Sequence, residues 1–232
     1  MTSFGDVVYS ATSDGELKRS ERVDGHIYEY KKNLQLPGAP MVVSPATDLI
    51  YVLQNNNKII KIDVASYSIS QEYEVKDYEA TALSFNASTN ELWIGDKKGL
   101  LHILDATSFE QKALIEKKHN HGISIVKTSP DGKLVASGDV YRYIYVFDAE
   151  TKVEVGCYAY HTARITGLEF YEDNSLLLTM GLDLTVGVVN LATKKQKTVH
   201  RPNEKELTSS VFDDQGRFFT GGYDCAIRLW SK

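Results

Sequence analysis

Cysteine is scarce in this chain, and so are proline and any long apolar run. Two cysteines among 232 residues, Cys157 and Cys225, can close at most one bridge. The repeat described below puts them in different units, so a disulfide scaffold is excluded and reduced thiols in a cytosolic protein are expected. The longest apolar stretch, 175–192, is interrupted by Asp183 and Gly187 and fits two strands and a turn better than a membrane span. The opening MTSFGDVVYS has neither the basic segment nor the apolar core of a signal peptide. Positive charge is not in excess either. Lys and Arg number 26 against 31 Asp and Glu, and the resulting net charge of −5 argues against a strongly electrostatic nucleic-acid binder. With 42% hydrophobic residues the chain has enough apolar material for a full core, and no segment reads as a long helix.

What is present is a rhyme. Asp63, Asp105, Asp148, Asn190 and Ser231 each end a short strand-like run (KIIKID, LLHILD, YIYVFD, VGVVN, IRLWS), at separations of 42, 43, 42 and 41 residues. A second register keeps step: turns at Ser44-Pro45, Asn86-Ala87, Ser129-Pro130, Tyr171-Glu172 and Asp213-Asp214 each follow a short apolar strand. A period of about 40–45 residues with four short strands per unit belongs to WD40-type β-propellers. The fourth unit shows the reading most clearly. Ile123–Thr128 (strand a), Leu134–Ser137 (b), Ile144–Phe147 (c) and Val153–Tyr158 (d) are rich in β-branched and aromatic residues and are separated by turn chemistry.

The expected fold is therefore all-β, a WD40-type propeller with strand a lining the central channel, in a single domain over 1–232. The repeats fall at about 1–34, 35–75, 76–116, 117–159, 160–199 and 200–232. The first supplies strands b (Val7–Ala11), c (Glu16–Ser20) and d (His26–Leu34) but no a, and the last supplies a, b and c but no d. That gives four complete blades and two partial ones: part of a seven-bladed ring, truncated or closed by a further segment or another subunit because an unpaired edge strand invites aggregation, or an unusual six-bladed ring made of these pieces.

The motifs read mainly as structure. Thr220, Asp224 and Trp230 stand where such blades link a strand-b hydroxyl, a b–c turn carboxylate and a strand-c indole to a His from the preceding d–a loop, here assigned to His200. The fifth repeat has His161, Thr179 and Asp183 in the same places, with Val189 where the Trp would stand. A His, a Thr and an Asp could suggest nucleophilic catalysis. They recur at turn positions without a nucleophile elbow or oxyanion-hole motif, so the structural role of satisfying buried polar groups is the reading adopted. Lys118-His119-Asn120-His121-Gly122 offers two imidazoles but no partner at metal-ligand spacing, and is expected to be a solvated d–a loop. Gly95-Asp96-Lys97-Lys98-Gly99 lacks the spacing of a phosphate loop and reads as a b–c turn. The Asn86-Ala87-Ser88 glycosylation triplet likewise reads as a turn. No cofactor fingerprint is found, and the protein is expected not to be an enzyme.

What remains for function is surface. The b–c and d–a loops of a propeller emerge on one rim, which would gather Lys97, Lys98, Tyr141, Arg142, Tyr143, Arg164 and Tyr223. Aromatic and arginine side chains are favoured at interface hot spots, and a local positive cluster on an acidic protein steers it toward an acidic partner.

The succession DVVYSATSDGELKR, EATALSFN, ASGDVYRYIYVFD, HTARITGLEFYEDNSLLLTMGLDLTVGVVNL and FTGGYDCAIRLW resembles the C-terminal half of the actin-interacting proteins that work with cofilin. Asp139 and Arg142, in an irregular b–c turn, and the HTARITGLEF entry to the fifth repeat carry the resemblance more specifically than the repeats do. It implies two joined seven-bladed propellers, of which this chain would cover most of the second, and a cytoplasmic, cytoskeletal role in disassembling cofilin-decorated actin filaments. It transfers no individual actin-contact residue. The alternative reading is a general scaffold for another multiprotein assembly.

Overall fold

A computed structural model describes residues 2–4, 7–24, 27–45, 48–55, 57–171, 174–200, 203, 205–212 and 217–230. The turn residues Glu172 and Asp213-Asp214 and the strand end Ser231 lie outside this set. Among the described residues the structure is made of strands, twenty-three of them, in six antiparallel sheets. Sheet 1 holds β1 (Thr2–Phe4), β2 (Val7–Ala11), β3 (Glu16–Asp24) and β4 (Ile27–Gln35). Sheet 2 holds β5 (Pro40–Pro45), β6 (Leu49–Gln54), β7 (Lys58–Asp63) and β8 (Ser68–Glu74). Sheet 3 is built from β9 (Ala80–Asn86), β10 (Glu91–Asp96), β11 (Leu101–Asp105) and β12 (Gln111–Ile115). Sheet 4 follows with β13 (Ile123–Thr128), β14 (Leu134–Asp139), β15 (Ile144–Asp148) and β16 (Glu154–Tyr158). Sheet 5 has β17 (Ile165–Phe170), β18 (Leu176–Gly181), β19 (Thr185–Asn190) and β20 (Gln196–His200). The last, sheet 6, has three strands, β21 (Leu207–Phe212), β22 (Phe218–Gly222) and β23 (Ile227–Trp230).

The blade count departs from expectation. Five sheets, not four, have all four strands, and six sheets stand where part of a seven-bladed ring was expected. The difference lies at the start of the chain. Thr2, Ser3 and Phe4 pair with Tyr9, Val8 and Val7 and so supply the strand a that the first repeat was thought to lack. A three-residue strand has too few side chains to show period-2 alternation, which is why it is invisible in sequence.

The sheets pack face to face through their second and third strands. One register position shows how. Leu17, Ile59, Leu101, Ile144 and Val186 pair across the b–c hairpin with Ala11, Leu53, Gly95, Gly138 and Met180, and all five are 0–1% exposed. Each clusters with the first strands of the following sheet: Ile59 with Ala80 and Leu83, Leu101 with Ile123, Ile144 with Ile165, Val186 with Leu207. Complete burial of one such aliphatic side chain stabilises by roughly 1.5–3 kcal/mol. Strands covered on both faces therefore read as continuous apolar runs, while the outer strand β8 is mostly exposed, with only Ile69 and Tyr73 partly buried.

Polar clips pin the first strands of neighbouring sheets together. Thr81 Oγ1–H lies 2.6 Å from the carbonyl of Ile123, and Ser124 Oγ–H lies 2.6 Å from that of Ile165, one repeat on. Gly95 and Gly138 stand beside these clips because a Cβ on either would fall 2.4–2.6 Å from the Cγ2 of Ile123 or Ile165. The close approach of neighbouring strands excludes any side chain there.

Candidate functional site: a turn rim over buried polar networks

The b–c turns of sheets 3 to 6 are each tied back to the segment entering strand a of their own sheet. The N–H groups of Lys97, Val140, Leu182 and Tyr223 donate to the carbonyls of Glu79, Gly122, Arg164 and Glu206, at 2.9–3.0 Å. This repeated bond brings the b–c turns and d–a loops onto one rim. Adjacent sheets join there too. Gly99, at φ +92°, passes so near the next loop that a Cβ would sit 2.7 Å from the carbonyl oxygen of His119.

Under the rim of sheet 4 lies a buried network. Asp139 Oδ1 accepts the N–H groups of Tyr141, Arg142 and Tyr143 at 3.0, 2.7 and 2.9 Å. Its Oδ2 lies 3.0 Å from His119 Nδ1, and His119 Nε2 lies 2.7 Å from Ser137 Oγ. A carboxylate can only accept, so Nδ1 carries a proton and donates it to Asp139, while Nε2 shares a hydrogen bond with the serine hydroxyl. Burial opposes ionisation of Asp139, but the hydrogen bonds from His119 and the three backbone donors outweigh it and hold the carboxyl below its ordinary range. The loop 118–122 is thus not wholly solvated as expected: His121 is exposed, whereas His119 is buried in this network.

Sheet 5 repeats the arrangement. His161 Nε2 lies 2.9 Å from Thr179 Oγ1, and Nδ1 lies 3.2 Å from Asp183 and 2.9 Å from Thr185 Oγ1. Burial lowers the His161 pKa despite the neighbouring Asp183, keeping the imidazole neutral. In sheet 6, Trp230 Nε1–H donates to Thr220 Oγ1 at 3.0 Å, and Thr220 Oγ1–H donates to Asn203 Oδ1 at 2.7 Å. Asn203 Nδ2 donates to Asp224 at 2.9 Å. The position assigned to His200 is therefore filled by Asn203. His200 ends β20 opposite Thr185, and its side chain is outside the described residues. The spacing contained the signal: His119, His161 and Asn203 stand 42 residues apart. Sheet 3 uses yet another donor, His102 of strand c, 3.1 Å from Asp96 and stacked on Tyr78.

Ser137, His119 and Asp139 have the connectivity of a nucleophilic triad, but all three are at most 4% exposed and the serine is fully enclosed. No substrate atom can reach its hydroxyl. Among the described residues there is no cluster of three or more potential metal ligands. Asn86 is itself fully buried, its amide donating to the carbonyl of Gly132, so the glycosylation triplet is closed off.

The rim side chains separate into two groups. Over sheets 3 and 4, Arg142 lies 5.5 and 5.2 Å from the ring centroids of Tyr141 and Tyr143, with Nη2–H donating to the Tyr143 hydroxyl at 3.3 Å. His121 meets the other side of this group, 5.0 Å from the Tyr141 ring. Lys98 is exposed in the turn of sheet 3, and Lys97 pairs with Glu79 at 3.0 Å in solvent. Tyr141 is half exposed and Val140 nearly so. Arg164 and Tyr223 are not in this group. Tyr223, 67% exposed, borders a cleft of about 400 Å³ between sheets 5 and 6 with Leu182, Leu184, Lys205 and Glu206, and Arg164 lies at the same strand entry, bonded to Leu182. Sequence reasoning missed Val140, Leu182 and Leu184, which stand in turns as lone apolar residues without periodicity.

Comparison with known proteins agrees with this geometry. The WD domain, G-beta repeat family matches residues 112–148 and 194–231. The chain carries WD40 repeats. Among curated relatives, the 66 kDa stress protein of Physarum polycephalum is 26% identical over 82% of this chain and 32% of that protein. Actin-interacting protein 1 of Drosophila melanogaster is 25% identical over 99% of this chain and 38% of that protein. The periodic tryptophan protein 2 homolog of Caenorhabditis elegans is 22% identical over 80% and 21%. The WD40 chain thus spans less than two fifths of the length of each of these relatives. A chain in the crystal structure of the mitotic checkpoint complex shares the fold, with TM-score 0.80 at 15% identity, over 98% of this chain and 72% of that one. The WD40 repeats make the molecule an all-β propeller of the protein-interaction kind.

Proposed function

We propose that this WD40 chain is a non-enzymatic docking module that binds actin filaments together with cofilin and favours their disassembly, through the rim over sheets 3 to 6. One observation carries the docking surface. The turn 140–143 holds an apolar, a cationic and two aromatic side chains at the rim on a backbone fixed by three hydrogen bonds to one buried carboxylate. Side chains on so rigid a support lose little further freedom on binding, and a Tyr–Arg–Tyr group suits an acidic or mixed protein surface. The similarity to actin-interacting protein 1 over 99% of the chain supports actin as that partner. Disassembly then needs no catalytic group, only tighter binding to the strained or severed filament than to the intact one. A cytoplasmic, cytoskeletal site of action follows from the same reading. Neither nucleic acid nor membrane is a partner in it, and no described helix is long and apolar enough to cross a membrane.

A second reading, a scaffold in another assembly, is favoured by the similarity to periodic tryptophan protein 2. Co-sedimentation with actin filaments separates the two. Cofilin-dependent pelleting, or added release of actin to the supernatant, reduced at least about tenfold by the double substitution Tyr141→Ala, Arg142→Ala, supports the first. No cofilin-dependent change in either fraction leaves the scaffold reading.

A further inference from the structure

The b–c turns share a backbone demand that sheet 5 meets in an unexpected way. The residue two positions before Leu17, Ile59, Leu101, Val186 and Ile227 is Gly15, Asn57, Gly99, Leu184 and Cys225, and all five have positive φ, at 94°, 62°, 92°, 62° and 59°. Glycine takes that conformation freely and asparagine tolerates it, whereas a bulky aliphatic side chain is strained there. Sheet 5 therefore keeps a leucine where a glycine would relax the turn. Strained residues of this kind gather at binding and catalytic sites.

What Leu184 does is line the cleft of about 400 Å³ between sheets 5 and 6. Leu182 borders it from the same turn, 44% exposed, and Tyr223 borders it from the turn of sheet 6. Both walls are set by contacts within the chain. Met180 and Val186 of sheet 5 cluster with Leu207 of sheet 6, and the turns are held by the Leu182 N–H on the Arg164 carbonyl and the Tyr223 N–H on the Glu206 carbonyl. The volume falls within the range of about 300–1,000 Å³ typical of ligand-binding clefts.

Charge selects the occupant. Lys205 lines the cleft, Arg164 is exposed where it holds Leu182, and neither side chain meets a carboxylate among the described residues. Against these two cations stands one exposed carboxylate, Glu206. The turn carboxylates Asp183 and Asp224 are turned inward, 6% and 5% exposed, onto His161 and Arg228. We infer that the cleft binds an extended acidic segment of a partner protein, one large apolar side chain seated between Leu182, Leu184 and Tyr223 and flanking carboxylates paired with Arg164 and Lys205. The inference rests on the reading of the rim as a protein-docking surface and adds a contact separate from the turn 140–143. One buried anchor and two solvent-exposed ion pairs give an isolated segment a Kd on the order of 0.1–1 mM.

The test is a nuclear magnetic resonance titration of the nitrogen-15-labelled full chain with capped pentapeptides, each holding one Leu, Ile, Met or Phe between two pairs of acidic residues. The expected result is saturable shifts of the amides of Leu182, Leu184, Lys205 and Tyr223, with affinity reduced at least about fivefold when lysines replace the acidic residues or serine replaces the anchor. Lys205→Glu and Leu184→Gly should each weaken binding at least about threefold, and Val153→Asp, on the outer edge of sheet 4, should not change it. The urea midpoint of Leu184→Gly should lie within about 0.3 M of wild type, because relief of the turn offsets the lost side chain, so its weaker binding is not a failure to fold. No saturable shift at these amides with any of the peptides up to about 5 mM, equal binding of acidic and basic peptides, or a Leu184→Gly variant that binds like wild type overturns the inference. Peptide binding without cofilin-dependent co-sedimentation keeps the cleft and removes actin as the partner, whereas co-sedimentation without peptide binding removes the cleft and keeps actin.

Discussion

Replacing His161 by Asn tests the idea that the buried networks are interchangeable supports for the rim. Asn203 in sheet 6 already performs the task of His161: its carbonyl oxygen accepts from the strand-b threonine, and its amide donates to the turn aspartate. His161→Asn therefore keeps the bonds to Thr179 and Asp183 and gives up ring volume and the 2.9 Å contact with Thr185 Oγ1, a hydroxyl that still bonds Asp183. A residual void of about 40 Å³ at ~24 cal/mol per Å³ gives about 1 kcal/mol. His161→Ala removes both bonds and orphans buried oxygens at about 1–3 kcal/mol each, for a total of about 3–5 kcal/mol. With a urea m-value of about 2–3 kcal/mol/M, the midpoint should fall by about 0.4 M for Asn and by about 1.5 M for Ala. pH supplies a second signature. The His161 pKa is lowered by burial, so the unfolded chain binds the proton first. Stability from the neutral imidazole is complete above the unfolded value of about 6.5 and is lost as pH falls toward the folded one. His161→Asn has no such group, so its midpoint should approach that of wild type as pH drops from about 7 to about 5. An Asn variant as unstable as the Ala variant, or a gap to wild type that does not close in acid, would refute the equivalence.

Other substitutions probe the remaining supports. Asp139→Ala orphans three backbone donors and His119, and should cost about 3–5 kcal/mol in urea titrations read by Trp93 fluorescence in a Trp230→Phe background. Because the Asp139 carboxyl is held below its ordinary range, that difference should be full above about pH 4 and should vanish as pH falls through the folded value. Gly99→Ala meets both a positive φ and a carbonyl oxygen 2.7 Å away, and should lower the urea midpoint by an amount matching about 1–3 kcal/mol. Ile144→Ala should cost about 2–5 kcal/mol, whereas Ile227→Ala at low micromolar protein should change stability by less than about 0.5 kcal/mol. Equal losses at the two positions would mean that Ile227 is covered in solution.

Much of the architecture was legible because one physical demand recurs. Each sheet must bury the same faces, so Ile59, Leu101, Ile144 and Val186 return in phase and the period announces the fold. The first strand was not legible, since three residues carry no alternation that would mark their pairing with β2. The polar networks were half legible. Thr220, Asp224 and Trp230 follow a fixed spacing, but the residue completing them need only accept from a hydroxyl and donate to a carboxylate. His119, His161 and Asn203 all meet that demand, and His102 meets the carboxylate half of it from another strand. A search for histidine therefore settled on His200, three residues short, where a search by position would have found Asn203.

That same tolerance separates the parts of the rim that can vary from those that cannot. Asp96, Asp139, Asp183 and Asp224 each fix a turn backbone by accepting its N–H groups, and each turn then points its intervening side chains outward. Asp139 does so from two residues after Ser137, whereas Asp183 and Asp224 stand four after Thr179 and Thr220. Moving the carboxylate along the turn changes which side chains are exposed without releasing the backbone. The earlier carboxylate lets Tyr141, Arg142 and Tyr143 donate in succession to a single oxygen, which brings the guanidinium between two rings at 5.5 and 5.2 Å. In sheet 5 the later carboxylate receives Thr185 and leaves Leu182 and Leu184 to line the neighbouring cleft. Asp96 of sheet 3 holds the same early register as Asp139, so it is the side chains of residues 141–143 that give the turn of sheet 4 its cationic, aromatic surface, and the buried charge of Asp139 is what holds that surface in one conformation.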